Sequence, residues 1–254
     1  MNGGSAAEWT WSELMPGLAA ALFAAVHILT QKLRFLDVIP RSRWLSAAGG
    51  ASVAYVFIHL LPELSRSQKD LEQSLPAVMR FLERHVYIAA LLGAVVFYGL
   101  EHVVRQSRAE RRETGGPDKS EVGVFVLHIA AFSAYNVLIG YLLLHRFDRG
   151  AAGFLTFTAA FAVHLVVNDY GLLTDHKDHY SRHGRWVLAA AVMGGYLLGL
   201  EFTVDRAVTA LALAFLVGGV ILNVFREELP EERRSSFVAF AGGAVAYGVL
   251  LLLA

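Results

Sequence analysis

Long apolar runs, broken by short clusters of charge, dominate the chain. A helix needs about 20 mostly apolar residues to cross a bilayer. Eight segments meet that length, at roughly 14–34, 45–65, 83–105, 121–145, 151–174, 185–203, 207–227 and 236–254. None alternates apolar and polar positions as a barrel strand does. Glycines recur inside the runs, as in GGAS at 49–52, MGGYLLG at 193–199 and VGGV at 217–220. Small residues let helices approach closely where lipid supplies no hydrophobic drive between them. The pattern predicts an all-α polytopic membrane protein of eight transmembrane helices, a single transmembrane domain over 1–254.

Composition narrows the function classes. Hydrophobic residues make up 56 % of the chain and charged residues 17 %, against about 25 % charged in soluble domains. The 22 basic and 22 acidic residues cancel, so the basic excess that a nucleic-acid footprint needs is missing. With no Cys, there is neither a disulfide framework nor a thiolate metal site. The loops at 32–43, 105–119, 177–185 and 226–234 hold fifteen Lys and Arg; those at 66–84, 146–149 and 206 hold seven. Basic loops stay inside, which predicts both termini outside and 105–120 as a flexible cytoplasmic loop. The first Lys or Arg is Lys32, after the first apolar run, so that run reads as a membrane span and not as a cleaved leader. The expected location is a bacterial inner membrane.

Ionisable residues within spans are costly, about 2.5–3.5 kcal/mol each on insertion scales, and usually face a cavity or a partner. Span one carries His27, which reads as a hydrogen-bonded packing residue. Span two carries Ser52, Tyr55, His59 and Glu63 on one helical stripe. Glu101 and His102 lie near the end of span three, where they can reach the interface. Span four has His128, Tyr135 and Asn136, with His128 and Tyr135 two turns apart on one face. Span five has His164, Asn168 and Asp169 near its middle, and span six ends near Glu201. These oxygen and nitrogen donors suit Zn²⁺, Mn²⁺ or Fe²⁺ better than a soft Cu⁺ site. If the fifth helix continues past its span, Asp169, His176 and His183 share a face, with His179 to one side.

These residues resemble the ZIP family of divalent-metal transporters. HLLPEL at 59–64 is similar to the segment ending that family's second span, and YNVLIG at 135–140 to its fourth-span pattern HNxx[DE]G. HLVVNDYG at 164–171 is similar to the fifth-span pattern HExPHExG, and GGVILNVFREELPE at 218–231 to the seventh span. Tyr135 stands where the family has a His ligand, and Ile139 where it has an acid. Leu165, Val167 and Asn168 likewise replace an acid, a Pro and a His. The resemblance implies a depleted metal site of Asn136, His164, Asn168, Asp169 and Glu201, with His128 and Tyr135 as secondary candidates. It implies entry past His59 and Glu63 and exit past His176, His179 and His183.

The leading expectation is a ZIP-like importer carrying a divalent metal ion, Zn before Fe or Mn, into the cytoplasm, with no catalytic cofactor and no enzymatic activity. A transport-inactive relative acting as metal sensor or scaffold is the second. An intramembrane metallohydrolase, which needs about three fixed ligands and an open position, is the third. The expected partners are the lipid bilayer, the metal ion and, as an open option, a second copy in a homodimer.

Overall fold

The computed structural model describes residues 11–32, 42–74, 85–114, 122–147, 150–228 and 236–253. Among these the backbone is helical almost throughout. The helices are α1 (Trp11–Leu29), α2 (Ser42–Tyr55), α3 (Leu61–Ser74), α4 (His85–Glu113), α5 (Val122–Phe147), α6 (Ala151–His176), α7 (Arg185–Glu201), α8 (Arg206–Glu228) and α9 (Phe237–Leu253). A π-helical stretch, Val56–Leu60, joins α2 directly to α3, and a second, Tyr180–Gly184, leads into α7. With α2 and α3 taken as one continuous rod, each of the eight apolar runs falls on a helix. Segments Leu14–Lys32, Arg43–Arg66, His85–Glu113, Val122–Leu144 and Ala151–His176 are long and apolar enough to cross a membrane; Ala207–Asn223 and Phe237–Leu253 are shorter apolar helices. The chain is an integral membrane protein of the all-α polytopic class.

Backbone contact at glycine organises the bundle. α5 packs on α7, α2 on α9 and α4 on α8. In each pair, one glycine from either helix faces a backbone carbonyl of the other. Gly140 faces Val192 and Gly195 faces Val137; Gly50 faces Phe240 and Gly243 faces Ala47; Gly93 faces Phe215 and Gly218 faces Ala90. A Cβ at any of these six would collide with a carbonyl oxygen, so only glycine permits the contact. The outward faces stay apolar: Leu91, Val95 and Tyr98 on α4 and Val238, Val245 and Leu252 on α9 are exposed, as lipid-facing residues are.

α6 is the central element, packing against α1, α2, α5 and α8. Aromatic rings enclose its first half; Phe157 and Phe161 stack at 4.3 Å, and both meet Tyr55 edge-on. The Tyr247 hydroxyl of α9 donates to the Thr156 carbonyl at 2.7 Å.

Two local expectations are corrected. The stretch from 105 to 113 is helix, not loop, because α4 runs on to Glu113. Arg105 donates to Glu101 at 2.8 Å and Gln106 to Glu110 at 3.0 Å, pairs one turn apart that support the extension. Residues 115–120 of the expected loop lie outside the described residues. α6 also does not continue through 183: it ends at His176, and Lys177 takes φ 46°, a left-handed conformation that a non-glycine residue rarely adopts. The shared face of Asp169, His176 and His183 is thereby broken. His176 is buried, His179 half-buried and His183 exposed.

Candidate functional site: a polar spine along helix α6

Most of the buried ionisable chemistry hangs on α6. From one end to the other it presents His164, Asn168, Asp169, Asp175 and His176, each at most 5 % exposed. Four of the five meet a named polar partner on another helix.

At the centre, His27 of α1 joins Asp169 to Asn136 of α5. His27 Nδ1 lies 2.9 Å from both carboxylate oxygens of Asp169, and Nε2 lies 2.8 Å from Asn136 Oδ1. All three residues have no exposed surface. The protonation state follows from the donor inventory. The Asn136 amide nitrogen donates to the Phe132 carbonyl at 2.9 Å, so its oxygen is the atom facing His27. An oxygen acceptor requires His27 Nε2 to carry hydrogen. Nδ1 faces a carboxyl group, an arrangement that is favourable when a second proton lies between Nδ1 and Asp169. So protonated, the cluster contains one proton more than a neutral imidazole beside a carboxylate. As imidazolium and carboxylate, or as imidazole and carboxylic acid, it carries no net charge. That makes it tolerable in a low-dielectric interior where a lone ion is not.

Two further pairs flank this cluster. Toward the start of α6, Tyr135 Oη is 3.2 Å from His164 Nε2. Toward its end, His128 Nδ1 is 2.8 Å from His176 Nε2, two buried imidazoles sharing a hydrogen. One residue before His176, Asp175 accepts from Arg108 of α4 at 2.6 Å, with side-chain exposures of 8 % and 18 %. The Tyr180 side chain, just beyond α6, is buried and faces Asp169. Burial first, then that carboxylate, holds its phenol well above the usual tyrosine range, so it stays protonated.

Of the residues expected from sequence, Asn136, His164, Asn168 and Asp169 are buried together along α5 and α6, as are the secondary candidates His128 and Tyr135. Glu201 is exposed at the end of α7. Glu63 is buried and lies 4.0 Å from His59 on the same rod, and His59 stacks on Tyr55 at 5.0 Å. His27 is buried and hydrogen-bonded as expected, but its partners are not legible locally; a lone His in an apolar run offers no sign of a partner 142 positions away. The Arg108–Asp175 pair is likewise not legible in the sequence, whose charge pattern puts Arg108 in a loop.

No family model matches the chain, and no solved structure matches it. It is similar to the H(+)/Cl(-) exchange transporter ClcA of Vibrio cholerae serotype O1, found in three strains of that organism. The match is 31 % identical over 177 residues, 67 % of this chain and 33 % of each relative. The chain thus spans about a third of the length of the curated relatives it matches. This similarity corrects the expected assignment to the ZIP family, and with it the divalent-metal cargo and the metal-handling alternatives. The geometry supplies the physical reason. Among the described residues no group of three or more His, Asp or Glu side chains could hold a metal ion. Three of the five expected ligands are engaged otherwise: Asp169 and Asn136 by His27, and His164 by Tyr135.

Proposed function

We propose that this protein is a membrane transporter that couples proton movement to movement of a small anion, chloride in the first instance, in a bacterial inner membrane with both termini outside. The observation that carries the reading is the buried contact of His27 Nδ1 with both carboxylate oxygens of Asp169 at 2.9 Å, a geometry suited to a shared proton. Similarity to an H(+)/Cl(-) exchange transporter supports the choice of ions. The cluster is neutral with its shared proton and negative without it. For an anion about 5 Å away, that unit of charge is worth about 3 kcal/mol at an effective dielectric near 20, a bias of about a hundredfold in occupancy. Proton and anion occupancy are then linked, which is what coupling requires. The flanking Tyr135–His164 and His128–His176 pairs give the proton neighbouring donors and acceptors along α6. No step in this reading makes or breaks a bond in a substrate, so the protein acts as a carrier and not as an enzyme.

The test is reconstitution in liposomes with potassium and valinomycin clamping the voltage. An imposed chloride gradient should drive protons against their own gradient, read by a trapped pH dye. Chloride movement without proton movement, or neither, would overturn the proposal.

A further inference from the structure

Among the described residues, Asn168 is the one member of the α6 spine whose side chain finds no partner. It is 1 % exposed, yet among the described residues neither its amide oxygen nor its amide nitrogen has a hydrogen-bond partner. Buried amides are almost always bonded, and leaving both ends empty is costly. The chemistry of the gap selects its occupant. A bare anion satisfies only the nitrogen, and a bare cation only the oxygen. A water molecule both donates and accepts, and so satisfies the pair. The position adds a second argument. Asn168 lies one helical turn beyond His164, which bonds Tyr135, and immediately before Asp169, which bonds His27. It therefore lies between two polar groups of the spine.

We propose that Asn168 seats an internal water that joins the Tyr135–His164 pair to the His27–Asp169 cluster, making one hydrogen-bonded path along α6. Asn168 is a positioning residue: it holds the water and exchanges no proton itself. The water takes up a proton from one side and releases one of its own to the other, and is regenerated unchanged. The carboxylate of Asp169 has lone pairs left to accept from water after its contact with His27. As a proton path this rests on the transport reading above, but the water seat itself does not.

The experiment therefore has two readouts. Radiolysis of bound water oxidises adjacent side chains, whatever the protein transports. Leu165 and Leu172 flank Asn168 on the same helical face, and both are fully buried. In the parent protein they should be oxidised severalfold faster than Leu143 and Leu188, which are equally buried on other helices. Asn168→Leu has similar volume and no polar atom, and it should bring them down to that background. Asn168→Met, with a chain that fits irregular space, serves if the first variant does not fold. Background labelling in the parent, or unchanged labelling in the variant, overturns the seat. In liposomes, Asn168→Leu should slow proton movement about tenfold, the rate equivalent of one ordinary hydrogen bond, while chloride movement stays near the parent level. Equal loss of both, or no loss of either, overturns the path. If the parent moves neither ion, the transport reading fails and the oxidation pattern alone decides the seat.

Discussion

Replacing Asp169 by Asn separates the proton from the packing. In the parent, His27 Nδ1 is 2.9 Å from both carboxylate oxygens. At that distance a full ion pair gains about 6 kcal/mol at an effective dielectric near 20, and desolvation of two fully buried groups offsets most of it. The net worth of the charge is therefore small, and the hydrogen bonds are what hold the cluster. In Asp169→Asn a carboxamide N–H can donate to a neutral Nδ1, while Nε2–H still donates to Asn136. The bond count is kept, and stability should stay within about 1 kcal/mol of the parent. The shared proton, however, has no place left. Asp169→Leu removes the partner altogether and leaves Nδ1 buried and unsatisfied, at a cost of about 1–3 kcal/mol. The assay is thermal unfolding of the purified proteins beside infrared spectroscopy of the carboxylic-acid and imidazolium bands. The expected result is parent-like melting without the shared-proton signal in Asp169→Asn, and a clear loss of stability in Asp169→Leu. If Asp169→Asn keeps the signal, or melts as early as Asp169→Leu, the protonation argument is refuted.

Further outcomes follow from other contacts. Arg108→Gln leaves the Asp175 carboxylate buried without its cation and should cost about 3–5 kcal/mol, read as a lowered melting temperature. Arg108→Gln combined with Asp175→Asn should recover most of that loss. Gly195→Ala drives a Cβ into the Val137 carbonyl and should cost about 1–3 kcal/mol by forcing α5 and α7 apart; Gly194→Ala, whose added Cβ meets nothing, should melt with the parent. Tyr135→Phe removes only the hydroxyl 3.2 Å from His164; it should cost about 1 kcal/mol and slow proton movement more than chloride movement. For topology, Thr114→Cys at the exposed end of α4 should react with a membrane-impermeant thiol reagent only after permeabilisation; labelling of intact cells would invert the orientation.

The helices were legible because a long apolar run is a local property. Each run between charge clusters had to cross lipid or be buried, and the glycines inside them mark the contacts that pair α5 with α7 and α4 with α8. The site was legible in part. His164, Asn168, Asp169 and Asn136 stood out as polar residues in apolar surroundings, and the structure buries all four. Their partners were not legible, since a pattern along one helix says nothing of what another helix brings to it. His27 and Asp169 meet across 142 positions and His128 and His176 across 48. Donors at metal-ligand spacing therefore read as a ligand set, when in space Asp169, Asn136 and His164 are engaged by side chains of other helices. The end of α6 was missed for a different reason. Lys177 takes a left-handed conformation that the identity of a lysine does not announce.

The central claim is that the proton shared by His27 and Asp169 couples the two ion movements. The most direct test compares the parent with Asp169→Asn in voltage-clamped liposomes under one imposed chloride gradient. The parent should move protons against their gradient, and Asp169→Asn should pass chloride with no proton movement above protein-free vesicles. Proton pumping by Asp169→Asn equal to that of the parent would contradict the account.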